Sequence, residues 1–548
     1  MSLRNRFVLM SVLATLAVLM GCSGTNKATP PPTGGFSDTN LSGTYVFSTS
    51  GADVDGDFLT MVGTFTACGC VGGTISAGSV VMNDPALGLV APVPPLTITG
   101  GSYTVGVDGR GTATLTTNPA SAFGTPTIVL DFVLTSSQGG LVTEFDNNGS
   151  GSGTLDLQSS VTQAQLAAGT GTFVFNLAGV SSSLGAPEAT AGSVTLDASG
   201  NATGVQDINS DAASNPPTAP LSITSPSTVL VGTSPGTATL VTSSGTLSFA
   251  VYAISATHLK FIETDVAPVL AGDVFSQSAN TFPSGPLAFT MAGLDLNPAN
   301  EGPLVVGGMM NSSGTAISAG VEDYNDNFIP NITSSSPITP PLAFTGQVAP
   351  TAGRFLLTLN TFENGADGAA GTFTFAAYPS TGGTQLLEVD GAGITGGVAY
   401  PQGSTSFASG QGYGLNLTGT NGAEVDDIAE FTYSTTNTST PLSGLIDVNN
   451  GAPTLPQNFS GSYAADTTNL GRGLITTITG GVNLVSYTVD STNSIFIEID
   501  PYQVALGSIG QQASESQGAI ATRMASLRPR AAARAAWKKK PAAVGQGR

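Results

Sequence analysis

The sequence predicts an all-β protein of four tandem antiparallel β domains, each a small eight-stranded up-and-down barrel. Three observations support this prediction. Gly contributes 71 of the 548 residues and charged residues only 9%, a composition that suits short strands and turns better than helices. A strand-like segment that ends in Gly occurs four times, and a Glu-x-Asp pattern with a fixed Gly and Gln behind it also occurs four times. The chain is also too long for one hydrophobic core.

The opening strand of each repeat shows the alternation typical of a half-buried strand. The four segments are SGTYVFSTSG, GTGTFVFNLAG, SGPLAFTMAG and SGQGYGLNLTG. Large residues at alternate positions point to one face of a strand. These pairs are Tyr45 and Phe47, Phe173 and Phe175, Leu287 and Phe289, and Tyr413 and Leu415. The repeats place β domains at residues 41–158, 169–277, 284–402 and 409–512, each of normal single-domain size.

Short connections rich in Gly, Asn, Asp, Ser and Pro separate about eight candidate strands in the last repeat, which favours antiparallel neighbours. Closing such a meander into a barrel removes its exposed edges. A two-sheet β-sandwich is the alternative. A membrane-spanning barrel needs strands of about 9 to 11 residues and aromatic girdles. The candidate strands are expected to be shorter, and aromatic residues make up 7% of the chain, so the sequence disfavours it.

Each repeat closes with the same four residues, which we call the acidic corner: a Glu, an Asp two residues on, a Gly seven past the Asp and a Gln twelve past it. The corners are Glu144, Asp146, Gly153 and Gln158; Glu263, Asp265, Gly272 and Gln277; Glu388, Asp390, Gly397 and Gln402; Glu498, Asp500, Gly507 and Gln512. Two carboxylates on one strand face suit a metal site or an acid and base pair. A structural role is favoured, in which the Asp bonds backbone N–H groups and the Gly supplies the next bend.

Four cations are spread one to each repeat: Arg110, Lys260, Arg354 and Arg472. A lone cation in an acidic domain suggests a specific carboxylate partner. In a simple meander the Arg and the corner Glu lie at opposite ends of the domain. The sequence therefore also allows a partner in the next domain.

The N-terminus carries the clearest targeting signal. Arg4 and Arg6 precede an apolar run from Phe7 to Met20, which is too short for a comfortable membrane span and fits a secretory signal. Leu19, Met20, Gly21 and Cys22 together resemble the lipobox of bacterial lipoprotein precursors. The resemblance covers only residues 1–22. It implies cleavage of a signal peptide at residues 1–21, acylation of Cys22, and an address at the outer membrane or cell surface, since Ser23 follows the Cys.

Residues 22–40 are rich in Pro, Gly, Ser and Thr and should form a flexible tether. Residues 513–548 contain eight basic residues and the only Trp, Trp537, and are predicted to be a disordered tail, with binding to anionic lipid as an alternative. Between residues 28 and 514 there are 35 acidic and four basic residues, a surplus of 31 negative charges. A body so acidic repels phosphate, which excludes nucleic acid as a partner.

Signals for chemistry are few. The chain has one His, His258, and no zinc spacing or phosphate loop, so no metal and no cofactor are expected. Cys68 and Cys70 either form a small disulfide ring, which needs a turn at Gly69, or stay unpaired. The segments 53–57 and 323–327 resemble parts of calcium loops but lack the Glu expected at the twelfth position.

The leading hypothesis is a non-enzymatic, lipid-anchored envelope protein with a structural or adhesive role. Short linkers predict that its domains abut as a semi-rigid rod. Its partners would be the membrane, through the anchor, and an envelope glycan or another surface protein. The alternative is a lipoprotein that binds small molecules or glycans in the barrel mouths. A hydrolase that uses the paired carboxylates is a weaker third hypothesis.

Overall fold

The computed structural model describes residues 35–513, except 121–123, 182–185, 212–218, 278–279, 298–300, 333–338, 362–370, 407, 437–440, 455 and 480–481. The described residues contain 34 strands, one short α-helix over Gln163–Leu166, and 3-10 turns at Asp38–Asn40 and Pro85–Leu87. The strands form four antiparallel sheets, one for each sequence repeat. The prediction of an all-β chain with four antiparallel β domains is therefore confirmed.

The first domain is a closed barrel in which every strand pairs with its neighbours in sequence. Its strands are β1 (Ser42–Asp53), β2 (Phe58–Cys68), β3 (Thr74–Asn83), β4 (Leu96–Val105), β5 (Arg110–Asn118), β6 (Thr127–Ser136), β7 (Gly139–Phe145) and β8 (Gly149–Leu157). The barrel begins earlier than predicted. Phe36 is buried in its core, and the Asp38 carboxylate accepts the backbone N–H groups of Gly72 and Val105, so the tether ends before residue 36.

The second domain is a nine-stranded sheet in which two three-residue strands occupy the place of the fourth strand. Its strands are β9 (Thr172–Val180), β10 (Pro187–Leu196), β11 (Ala202–Ser210), β12 (Leu221–Ile223), β13 (Thr228–Leu230), β14 (Gly236–Thr242), β15 (Gly245–Ser255), β16 (His258–Glu263) and β17 (Val269–Ser276). First strand β9 pairs with last strand β17, and a bridge between Asn201 and Thr228 links the two halves on the other side.

The third domain closes because β19 pairs with both β18 and β20. Its strands are β18 (Ser284–Asp295), β19 (Gly302–Ser313), β20 (Ala316–Asp326), the two-residue β21 (Ile329–Pro330), β22 (Leu342–Thr351), β23 (Arg354–Thr361), β24 (Gly371–Ser380), β25 (Gly383–Glu388) and β26 (Gly393–Pro401).

The fourth domain is again a closed barrel with pairing in sequence order. Its strands are β27 (Gln411–Thr420), β28 (Glu424–Tyr433), β29 (Leu442–Asn449), β30 (Gln457–Ala465), β31 (Arg472–Thr479), β32 (Asn483–Thr488), β33 (Asn493–Glu498) and β34 (Val504–Gln511). When β12 and β13 are counted as one strand and the two-residue β21 is left aside, each barrel has eight strands that run up and down in turn. Each barrel therefore begins and ends at the same end. We call this the entry end.

Each barrel is filled by its own apolar cluster. The alternating large residues that the sequence predicts on one face all lie in these clusters, which contain Tyr45 and Phe47, Phe173 and Phe175, Leu287 and Phe289, and Tyr413 and Leu415. All eight are at most 2% exposed. Burying an aromatic or aliphatic side chain of this size is favourable by about 1.5–3 kcal/mol, so these residues stabilise the barrel interior.

The four barrels form a closed ring, so the predicted rod is wrong. The first three strands of each domain face the last three strands of the next, as in the contacts of β10 with β24, β25 and β26. The same arrangement joins the fourth domain to the first, where β28 contacts β6, β7 and β8. Such a head-to-tail contact generates a ring when the rotation between neighbours closes after a whole number of copies. Short linkers restrict the distance between domains but not this rotation.

Candidate functional site

The corner Glu residues end the seventh strand of each barrel and lie in the contacts between domains. Their relative exposures are 2% for Glu144 and 0% for Glu263, Glu388 and Glu498. The backbone carbonyl of each Glu accepts a hydrogen bond from an Asn side chain of the preceding domain. The pairs are Asn83 with Glu263 at 2.8 Å, Asn209 with Glu388 at 2.9 Å, Asn325 with Glu498 at 3.3 Å, and Asn449 with Glu144 at 2.9 Å.

The carboxyl groups of these Glu residues are held away from water. Burial, with the neighbouring corner Asp as the next cause, raises the pKa of Glu144, Glu263 and Glu498 well above the ordinary value. Such surroundings disfavour the charged carboxylate relative to the protonated acid. Glu388 instead accepts hydrogen bonds from the backbone N–H and the hydroxyl of Thr395, at 3.1 and 2.8 Å. With 0–2% exposure, none of the four presents a carboxyl group to a substrate.

The corner Asp residues fasten the turn between the seventh and eighth strands to the sixth strand. Each carboxylate accepts a backbone N–H from that strand: Asp146 from Val129 at 3.2 Å, Asp265 from Ser248 at 2.9 Å, Asp390 from Thr374 at 2.6 Å, and Asp500 from Asn483 at 2.8 Å. Three adjacent strands are thereby held in register. Within the described residues, no group of three or more His, Cys, Asp or Glu is arranged to hold a metal ion.

The corner Gly residues do not supply a bend, so that prediction is wrong. Each lies inside the last strand of its barrel, opposite the first strand. A Cβ atom added there would lie 1.7 to 2.2 Å from a backbone carbonyl oxygen of the first strand. The contacts are Gly153 with Ser48, Gly272 with Asn176, Gly397 with Thr290, and Gly507 with Asn416. Gly is required because the backbones of the first and last strands approach closely where they pair and close the barrel. We call this contact between the first and last strands the seam.

The corner Gln residues complete the same seam and extend to the next domain. Their backbone N–H groups donate to carbonyls within the first three residues of the first strand: Gln158 to Thr44, Gln277 to Thr172, Gln402 to Pro286, and Gln512 to Gly412. Three side-chain amides then cross to the next barrel. Gln158 donates to Ala253 at 2.6 Å, Gln402 to Thr488 at 2.8 Å, and Gln512 to Asp108 at 2.6 Å, in each case to a backbone carbonyl.

The three Arg cations pair with an Asp of the preceding domain, taken in ring order. Arg354 Nε lies 2.8 Å from Asp207, Arg472 Nε lies 2.7 Å from Asp323, and Arg110 Nη1 lies 2.9 Å from Asp447. Each Asp stands two residues before the Asn that bonds the corner Glu. The sequence reasoning missed this Asp-x-Asn pattern, which is visible as DIN, DYN and DVN in repeats two to four.

The contact between the first and second domains uses a different cation. Val81 stands in the place of the Asp of the pattern in the first domain. In the second domain Pro235, just before β14 begins at Gly236, stands in the place of the Arg. Lys260 lies 2.7 Å from Asp273 and 4.0 Å from Asp156 of the first domain, and His258 Nε2 lies 2.7 Å from Asp273. Burial alone would raise the pKa of Asp273, but Lys260 and His258 lower it below the ordinary value. Through Lys260 and Asp156, this cluster lies at the contact between the first and second domains.

The remaining predicted features also lie in structural contacts. Cys68 and Cys70 form a disulfide around Gly69, whose φ of 62° supplies the required turn. Asp323 and Asn325, in the second calcium-like segment, bond Arg472 and the backbone of the fourth domain. In the first segment Asp53 accepts the N–H of Asp57. The lipobox residues Leu19, Met20, Gly21 and Cys22 lie outside the described residues.

Buried acids in the fourth domain predict that stability depends on pH. Burial, and secondly Asp108, raises the pKa of Glu430 to about 8. A raised pKa in the folded state means that this contribution to stability is complete below the unfolded pKa and is lost as pH rises through about 8. Glu430→Gln should therefore be more stable than the parent at pH 9, by about 2 kcal/mol, and equal to it near pH 5.

Urea unfolding at both pH values measures this difference. Asp197→Asn is the control, because it removes one negative charge from an exposed turn where hydrogen bonds from Asn201 lower the pKa of Asp197. A similar gain in both variants at pH 9 would assign the effect to net charge instead of to burial.

Fold and corners together define a class: four antiparallel β-barrel domains joined into a ring by residues that recur in each domain. No family model matches the chain, and no curated protein matches it in sequence. Kievitone hydratase from Nectria haematococca is a structural neighbour with 8% identity over 42% of this chain and 90% of that chain. A protein given the name AttH from Nitrosomonas europaea has 9% identity over 42% and 92%. Both TM-scores are 0.15, so neither neighbour carries an argument about function.

Proposed function

We propose that the protein is a non-enzymatic, lipid-anchored component of the bacterial cell envelope that holds a rigid ring of β-barrels at the outer membrane or cell surface. This proposal rests on one observation, which is the role of the residues that recur in all four domains. The corner Glu, Asp, Gly and Gln residues close the barrels and join them, and no Glu carboxyl group among them is more than 2% exposed. Residues that would perform a reaction on a substrate need access to it, and the corner Glu side chains, at 0–2% exposure, have almost none.

The positions of the chain ends support attachment to a surface. The backbone N–H of Phe36 donates to Val107 at 3.3 Å, and the side chain of Gln512 donates to the neighbouring Asp108 at 2.6 Å. The first and last parts of the described chain, at Phe36 and Gln512, therefore lie close together at the entry end. An acylated Cys22 would keep this end toward the membrane, and the eight basic residues of the tail would meet the same surface.

A ring of rigid barrels suits a structural or adhesive role, with an envelope glycan or another surface protein as the partner. The body has a surplus of 31 negative charges between residues 28 and 514, which favours partners other than nucleic acid. Among the described residues, no helix is long and apolar enough to cross a membrane.

Labelling with radioactive palmitate tests the anchor. The parent chain should take up label and sediment with membranes, whereas Cys22→Ala should take up none, because its residue 22 has no thiol to acylate. Ser23→Ala is the matched control and should be labelled like the parent. Label that persists in Cys22→Ala would contradict the anchor.

A further inference from the structure

The three ring arginines differ in how many carboxylates they hold. Arg110 contacts Asp447 across the interface and Asp108 from its own turn, at 2.9 and 3.2 Å. Arg472 likewise contacts Asp323 across the interface and Asp466 from its own domain, at 2.7 and 2.8 Å. Both guanidinium groups thus lie between two carboxylates. Two acids around one Arg is the pattern of this interface.

Arg354 has the first carboxylate but not the second. Its Nε lies 2.8 Å from Asp207 across the interface, and the side chain is 1% exposed. Asp108 precedes its Arg by two residues and Asp466 by six, and the third domain has Ala352 and Val348 at those two places. Arg472 uses Nη1 for its second carboxylate. In Arg354, Nη1 donates to no atom in the described part of the chain.

A pocket of about 710 Å³ opens at the entry end of the third barrel, beside this arginine. Phe282 and Phe355 supply apolar walls, and the rim carries Ser284, Ser313 and Thr315. The turn over Pro350–Gly353 forms part of the lining together with Arg354. Ligand pockets for small organic molecules typically measure about 300–1,000 Å³ and combine apolar walls with a few polar groups.

We propose that this pocket binds an amphipathic monocarboxylate, whose carboxylate bonds Arg354 Nη1 and whose apolar chain lies against Phe282 and Phe355. The ligand carboxylate takes the position that Asp108 and Asp466 occupy relative to the equivalent arginines. A charge-assisted pair between guanidinium and carboxylate is among the stronger polar contacts in proteins. The ligand carries no more than one negative charge, because Asp207 already offsets the charge of Arg354 and each further charge would be repelled by the acidic body.

Ala352 lies two residues before Arg354 in the turn that lines the pocket. Ala352 is exposed and has a φ of 46°, in the left-handed region that favours Gly, Asn or Asp over Ala. Because Arg354 is buried, the turn must move slightly for a carboxylate to reach it. The binding site goes beyond the structural role proposed above and does not depend on acylation of Cys22.

A carbon-13 NMR titration with carboxyl-labelled octanoate tests the proposal, using the full chain with Cys22→Ala to remove the free thiol. Octanoate should bind at one site and raise the melting temperature. Ala352→Asp places a carboxylate where Asp108 stands in the first domain, so it should weaken octanoate binding about tenfold or more. It should also raise the melting temperature without ligand. Ala352→Asn, which has a similar shape and no charge, should bind octanoate like the parent.

Any of the following results would overturn the proposal. One is equal binding of octanoate to the parent and to Ala352→Asp, or no binding to the parent up to about 10 mM. Another is equal binding of octanamide, which has the same chain without the charge. The third is a lower melting temperature for Ala352→Asp, which would show that a carboxylate at this place does not reach Arg354.

Discussion

Replacing Arg472 with Met should lower the free energy of unfolding by about 3–5 kcal/mol, the effect of breaking a buried ion pair by removing one partner. Arg472 is fully buried, and its Nε and Nη2 each lie 2.7 Å from Asp323 of the third domain. Tyr487 also donates to Asp323, at 2.7 Å. Without the guanidinium, the Asp323 carboxylate stays in a site that offers no counter-charge. Urea unfolding with a domain-specific probe measures the loss.

Two variants serve as controls for this prediction. Arg110→Met removes the equivalent residue at the contact of the fourth domain with the first, where the side chain is 18% exposed and water can solvate the partner, so its effect should be smaller. Adding Asp323→Leu to Arg472→Met removes the unpaired charge and should restore much of the stability. Equal losses for Arg472→Met and Arg110→Met would show that burial does not control the energy of these pairs.

Replacing Gly397 with Ala should destabilise the third barrel by about 3 kcal/mol. The new Cβ would lie 2.2 Å from the carbonyl oxygen of Thr290 on the first strand, so the closing strands must separate. Overpacking against backbone is expensive because neither strand can move without breaking its hydrogen bonds. Thermal unfolding followed by circular dichroism should show a lower transition temperature.

Gly396 is the matched control for Gly397. It is the preceding residue of the same strand, and a Cβ added there would meet its nearest atom, the carbonyl oxygen of Leu386, at 3.5 Å. Gly396→Ala should therefore be nearly neutral, since the contact is an ordinary one. Equal destabilisation by both substitutions would contradict the prediction. It would show that the strand tolerates no added side chain at either position, whether or not the position lies against the first strand.

The sequence predicted most of the fold because the signals for it are local and repeated. Alternation of large residues, as at Tyr45 and Phe47, identifies an inward strand face from a few positions. Short polar connections require antiparallel neighbours. The acidic corners mark the repeats because all four barrels need the same turn. The Gly of the corner was misread as a bend, since its spacing does not reveal that it lies opposite the first strand.

The interface residues were harder to predict because their partners are distant in sequence. Arg354 and Asp207 are 147 positions apart, and nothing near either residue indicates the other. Comparison of the four repeats does give a signal for the pairing between Arg and Asp. Repeat one lacks the Asp and repeat two lacks the Arg, so both members of one pair are missing together. The Asp-x-Asn pattern of the other three repeats, set beside their Arg residues, predicts the pairing.

The sequence by itself determined the barrel units and their number, because strand period, turn chemistry and repetition all act over short stretches of chain. Only the tertiary structure decided that the units form a ring instead of a rod. That outcome depends on the rotation between neighbouring barrels, which side-chain packing over a whole interface sets. A small change in that rotation, repeated at each contact, would turn a closed ring of barrels into an extended rod. No local sequence pattern encodes the rotation.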